Sequence, residues 1–179
     1  IDVAMSRGDF FVPRLAKQRF MVVYGDNNPN GPLTAMAGAR RLAWPIRTVC
    51  IPNEKAEEWN RLWGIQVQKH FGKLSQYEFL ELLGKSMCFV YPTRWVGSAR
   101  MPIAAAVVGT PCVGTSYSHT MKRLWPSLCV EPFDVARMCE LVNRLENDSD
   151  FYRTVVMDAW SQLPFYSLES TKQRFLKAT

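Results

Sequence analysis

The sequence predicts an α/β domain, Rossmann-like and three-layered, with a mostly parallel sheet between two layers of helices. Short apolar runs of strand type alternate along the chain with helical stretches of about ten residues, the pattern of βαβ units. Most of those runs stop at Gly or Pro, which punctuate secondary structure. The 179 residues, 47% hydrophobic, 12% aromatic and 21% charged, suffice for one domain with a sizeable core and lack the signature of disorder.

The elements follow in order. Residues 1–18 read as an entry or connecting segment, 19–165 as the Rossmann-like domain and 166–179 as a carboxyl-terminal helix. Arg19 to Tyr24 is a buried strand, cut off by the loop from Gly25 to Gly31. Leu33 to Ala43 is a helix with Arg40 and Arg41 near its end, where cations suit the dipole, and Pro45 stops it. Ile46 to Ile51 is a strand, Glu54 to Trp63 a helix ended by Gly64, and Ile65 to Phe71 a strand ended by Gly72.

Ser75 and Glu78 form a capping box before an apolar helical face, and Met87 to Tyr91 is the next strand. A loop holding Gly97 leads into a short apolar helix from Pro102 to Val108, with Pro in the first turn, where its missing amide hydrogen is harmless. Cys112-Val113 and Leu128 to Val130 are short strands. Asp134 caps a helix with Val135, Met138, Cys139, Val142 and Leu145 on one face. Helices over Phe151 to Leu163 and Ser167 to Ala178 close the sequence.

Several chemistries drop out. No apolar run reaches the roughly 20 residues of a membrane-spanning helix. The five cysteines are odd in number and include no CxxC, so they read as reduced core residues of a cytosolic protein; with only His70 and His119, no zinc-ligand spacing is present. The loop from Gly25 to Gly31 lacks GxGxxG and Walker patterns, and no GxSxG elbow occurs. The chain opens on Ile1 without a leader pattern, and is expected to be part of a longer protein.

What remains is a basic α/β domain of net charge +6, whose charge excess falls before residue 101. An anionic partner such as a phosphate, a nucleic acid or an acidic membrane surface fits that balance, as does a merely soluble basic face. Ligands of such sheets bind outside the carboxyl ends of the strands, which here are Gly25 to Gly31, Phe71 to Lys73, Pro92 to Arg100 and Gly114 to Ser118. Gly97-Ser98-Ala99-Arg100 offers small residues, backbone amides and a cation at a helix start, which suits a diphosphate; an ordinary turn is the plainer reading. His70 beside Phe71-Gly72-Lys73 reads as structural or solvent-facing before it reads as a ligand contact.

From Ile65 to about Leu163 the order of features resembles the carboxyl-terminal, donor-binding domain of GT-B glycosyltransferases, in particular the retaining group that uses nucleotide sugars. The stretches that carry the resemblance are Phe71-Gly72-Lys73-Leu74-Ser75 with Glu78, Cys88 to Thr93, Ile103 to Val113, Leu124-Trp125-Pro126 and Val130 to Asp134. Val22 to Gly25 looks like the family's first strand and Gly, and Asn30-Gly31 falls where a Lys-Gly pair is usual. The resemblance implies one half of a GT-B fold, a nucleoside-diphosphate sugar as donor substrate with no separate cofactor, and a preceding acceptor-binding domain without which the chain is inactive. It implies donor contacts at Gly25, Lys73, Gly97, Ser98 and Ala99, and Asn30 joins them as an amide side chain able to bond ligand hydroxyls.

The departures bear on activity. The family's paired Glu positions fall on Val96 and Ala104, and its basic pair on Asp26 and Asn30. An apolar side chain cannot accept hydrogen bonds from a ribose. Arg94 and Arg100, flanking Gly97, are the cations placed to substitute at the phosphates. Two readings stay open, a divergent transferase and a non-catalytic assembly or regulatory module on the same fold. The location expected is cytoplasmic, with a peripheral membrane or nucleic-acid acceptor surface as a further option.

Overall fold

The computed structural model describes residues 16–24, 30–51, 54, 57–58, 61, 64, 67–93, 97 and 99–178. The strands are β1 (Gln18–Tyr24), β2 (Ile46–Val49), β3 (Val67–Phe71), β4 (Ser86–Tyr91), β5 (Cys112–Thr115) and β6 (Cys129–Val130). They form one sheet in the order β3-β2-β1-β4-β5-β6, and every pairing is parallel. Around it lie α1 (Asn30–Leu42), α2 (Gln76–Lys85), α3 (Arg100–Val107), α4 (His119–Leu124), α5 (Val135–Asn147), α6 (Ser149–Gln162) and α7 (Leu168–Ala178).

This order follows from the chirality of parallel crossovers. The chain steps outward from β1 to β2 and β3, returns across the sheet to β4, and steps outward the other way, so right-handed connections put helices on both faces. On one face α1 packs against α5, with the Cys139 thiol 3.7 Å from the Gly38 carbonyl; on the other, α2 packs against α3 and α3 against α4. Where β1 and β4 are buried from both sides they are apolar, over Phe20 to Val23 and Cys88 to Tyr91.

Local signals set several element ends. The Ser75 hydroxyl accepts the Glu78 amide at 3.3 Å while the Glu78 carboxylate accepts the Ser75 amide at 2.8 Å, closing the capping box. The Ser75 side-chain and backbone bonds hold the Glu78 carboxyl below its usual value. Asp134 and Asp148 cap α5 and α6 by accepting the Arg137 and Phe151 amides at 2.9 and 2.8 Å.

The sequence reading is corrected at several points. Helix α1 begins at Asn30, three residues before Leu33, so Asn30 and Gly31 belong to its first turn and not to the preceding loop. Strand β2 ends at Val49, because Cys50 turns out of the sheet with φ 58. Cys50 is therefore exposed and not a core residue, and Cys129 is only half-buried. Cys88, Cys112 and Cys139 are buried, and all five thiols are free. Helix α4 had no counterpart in the sequence reading. Of the helix expected over Glu54 to Trp63, residues 54, 57, 58 and 61 are described and helical. Among the described residues no helix is long and apolar enough to cross a membrane.

Candidate functional site

The strand order reverses between β1 and β4, and a crevice opens outside the carboxyl ends of strands at such a point. Tyr24 ends β1 and Tyr91 ends β4, their ring centroids 6.4 Å apart. Phe79, from α2, meets Tyr24 edge-on at 5.8 Å and Phe89 at 6.1 Å, and Phe89 stacks on Tyr91 at 5.8 Å. Such pairs add to the area that the rings bury, so this cluster is a stiff floor beneath the two strand exits. Only the sheet order brings its four rings together, and no motif in the sequence marks them.

The exit from β4 is held by backbone and hydroxyl bonds. The Thr93 amide donates to the Tyr91 carbonyl at 2.9 Å, and the Thr115 hydroxyl at the end of β5 donates to the Thr93 carbonyl. Both threonines are buried, so these bonds satisfy groups that would otherwise be costly. Gly114 lets the strands approach: a Cβ there would lie 2.5 Å from the Tyr91 carbonyl oxygen.

Gly97 is then pinned by a parallel bridge to Ser118, and its carbonyl accepts the His119 amide at 3.0 Å. Its φ of 138 lies where a side chain is strained, which makes Gly the fitting residue. The Ser118 hydroxyl turns to its own helix, accepting the Met121 amide at 3.4 Å to cap α4.

Two residues on, Ala99 occupies the cap position of α3 and supplies no side-chain hydrogen bond, and no acidic residue stands in the first turn. Pro102 removes one of the early amide hydrogens, leaving those of Arg100 and Met101 without a side-chain cap. Arg100 is exposed, with no ion-pair or hydrogen-bond partner among the described residues. An uncapped positive helix end carrying a cation is an anion-binding arrangement.

The other expected site residues fall as follows. Asn30 opens α1, the helix that follows β1, so a second helix start lies beside the crevice. Lys73 is exposed on the loop leaving β3, the edge strand. That loop is two strands from β1, roughly 10 Å of sheet. Gly25, Arg94 and Ser98 lie outside the described residues, as does Val96. Ala104, which stands where the family's Glu would meet the ribose, is 3% exposed and part of the core.

No protein-family model matches the chain, and no curated protein matches it. Solved structures do. A UDP-forming α,α-trehalose-phosphate synthase from Burkholderia xenovorans aligns with a TM-score of 0.74 at 15% identity, over 89% of this chain and 44% of that one. AviGT4, a glycosyltransferase involved in avilamycin A biosynthesis, aligns with a TM-score of 0.70 at 21% identity, over 99% of this chain and 58% of that one. A sucrose-phosphate synthase from Thermosynechococcus elongatus gives 0.72 at 16%, over 97% and 49%. The chain thus spans about half the length of these structures and shares their fold.

Proposed function

We propose, for a chain with the fold of half a GT-B glycosyltransferase, that the crevice between β1 and β4 binds the diphosphate of a nucleotide sugar in a sugar-transfer reaction. The observation that carries this reading is the start of α3: uncapped, free of acidic residues, preceded by Gly97 with φ 138 and bearing the exposed Arg100. The proposed contacts are the amides that follow Gly97, with Ala99 and Arg100, and with Asn30 at the start of α1. Gly25, Ser98, Arg94 and Lys73 complete the set that the sequence suggests.

The part of this domain in transfer is electrostatic. As the bond from sugar to phosphate breaks, negative charge grows on the leaving diphosphate. Amide dipoles fixed at the helix start lower the energy of that charge without having to reorganise, and Arg100 adds a positive charge beside them. A residue that activates the acceptor hydroxyl comes from outside this chain. The fold neighbours support the reading, one being described as UDP-forming and another as a glycosyltransferase.

One observation favours a second reading, a non-catalytic module. Ala104 is buried, and its methyl group can accept no hydrogen bond from a ribose. Calorimetry at low salt separates the two. UDP, ADP and GDP are each titrated against the matching nucleoside, and for at least one base the diphosphate should bind ten times or more as tightly. Equal binding, or none for any base, would overturn the transferase reading in favour of the module.

A further inference from the structure

At the opposite end of the strands a cavity of about 290 Å³ opens where Lys17 precedes β1, Gly84 precedes β4 and Gly109 precedes β5. Val108, Val156, Met157 and Trp160 give it apolar walls, with Met157 more than half exposed at the rim. Its size falls just below the roughly 300–1,000 Å³ of drug-sized ligand sites, which suits a smaller molecule.

The polar groups that line it are engaged elsewhere, with one exception. The Tyr152 hydroxyl donates to the Gly109 carbonyl at 3.3 Å, and the Trp160 indole N–H to the Ala106 carbonyl at 2.7 Å. Arg153 is held by Asp150 at 2.5 Å. Lys17 donates to the Thr110 hydroxyl oxygen at 2.6 Å, and that hydroxyl passes its own hydrogen to the Leu83 carbonyl. An ammonium has three N–H donors, so two are not taken by Thr110, and Lys17 lines the cavity with no carboxylate in contact among the described residues. A half-buried cation with donors to spare favours an anion, whose charge-assisted hydrogen bonds are stronger than those of a neutral group. Burial accordingly pushes the Lys17 ammonium down to about 8.

We propose that this cavity is a binding site for a small apolar monocarboxylate, its carboxylate on Lys17 and its hydrocarbon body against Val108, Val156 and Trp160. One half-buried charge is what the site supplies, because the Arg153 side chain is 74% exposed and paired with the equally exposed Asp150 in solvent. The apolar walls select against sugars and nucleotides, so this site is independent of the crevice at the carboxyl end.

The test is a titration of the isotopically labelled chain with hexanoate, hexan-1-ol and hexylammonium, following the Trp160 indole N–H signal, assigned by its loss in Trp160→Phe. Hexanoate should shift that signal saturably, hexanol at least tenfold more weakly and hexylammonium not at all. Lys17→Met and Lys17→Gln should each lower hexanoate affinity at least tenfold while keeping the dispersed spectrum of the folded chain. No saturable shift with hexanoate, similar shifts from all three probes, or unchanged affinity in whichever variant stays folded would overturn the proposal.

Discussion

Lys17 and Arg100 are both cations without a carboxylate partner among the described residues, yet one is half-buried and the other exposed. The half-buried one bears on stability. Its folded value of about 8 is below the 10.5 of the free side chain, so between those pH values the unfolded chain holds more protons than the folded one. The Lys17 penalty is therefore complete below pH 8 and is relieved as the pH rises toward 10.5. Lys17→Met, apolar and of similar length, should be the more stable protein at pH 7, by about 1–2 kcal/mol. Urea unfolding of both proteins at pH 7 and pH 10 checks this, and the gap should shrink at the higher pH. Cys88, pushed up to about 12 by burial, and Tyr152, also raised by burial, are common to both proteins, and the smaller lowering of Cys88 by Lys17 is the one part of these shifts that the substitution removes. A variant less stable at pH 7, or a gap that does not change, would show that the ammonium is well hydrated.

At the scale of elements, β4 and β5 depend on a close backbone approach. Phe89, Val90 and Tyr91 face Cys112, Val113 and Gly114 in register, and a Cβ on Gly114 would meet the Tyr91 carbonyl oxygen at 2.5 Å and the Met121 side chain at 3.2 Å. Met121 can give way, whereas a carbonyl inside the ladder cannot. Gly114→Ala should therefore cost about 1–3 kcal/mol, the range for overpacking, read as a lower urea midpoint with an unchanged slope. Wild-type stability in this variant would mean that the strands part without loss. The sequence showed this element pair only in outline. Cys112-Val113 was legible as apolar and β-branched, but the strand runs on to Thr115 through a Gly that propensity alone would read as a stop. Helix α4 went unseen for a related reason: His119 to Leu124 has six residues, too few to establish a period, and it is fixed by the Ser118 cap and by burial of Met121 and Leu124. By contrast, the capping box at Ser75 and the apolar face from Met138 to Leu145 are local signals that survive in one dimension.

For the whole molecule, a parallel sheet makes the two ends of the strands chemically different. Every carboxyl end opens on one edge and every amino end on the other, separated by about 20 Å for a strand of six residues. The sequence could name the first edge, because strand ends and glycine loops follow one another along the chain. It could not name the second, since Lys17, Gly84, Gly109 and Trp160 are far apart in sequence and meet only through the order β1-β4-β5. Arg100 at one edge and Lys17 at the other should then act independently. Arg100→Ala should weaken nucleoside diphosphate binding, and the loss should shrink as salt rises, because an exposed ion pair is screened. It should leave hexanoate affinity unchanged, and Lys17→Met should do the reverse. In the double variant the two free-energy changes should each stay within about 0.5 kcal/mol of the single-variant values, as expected for distant sites with no shared partner. Coupling beyond that, measured by calorimetry on the four proteins, would mean that α3 transmits between the edges. It is the element placed to do so, since Arg100 starts it and Val108, directly after its last turn, lines the cavity.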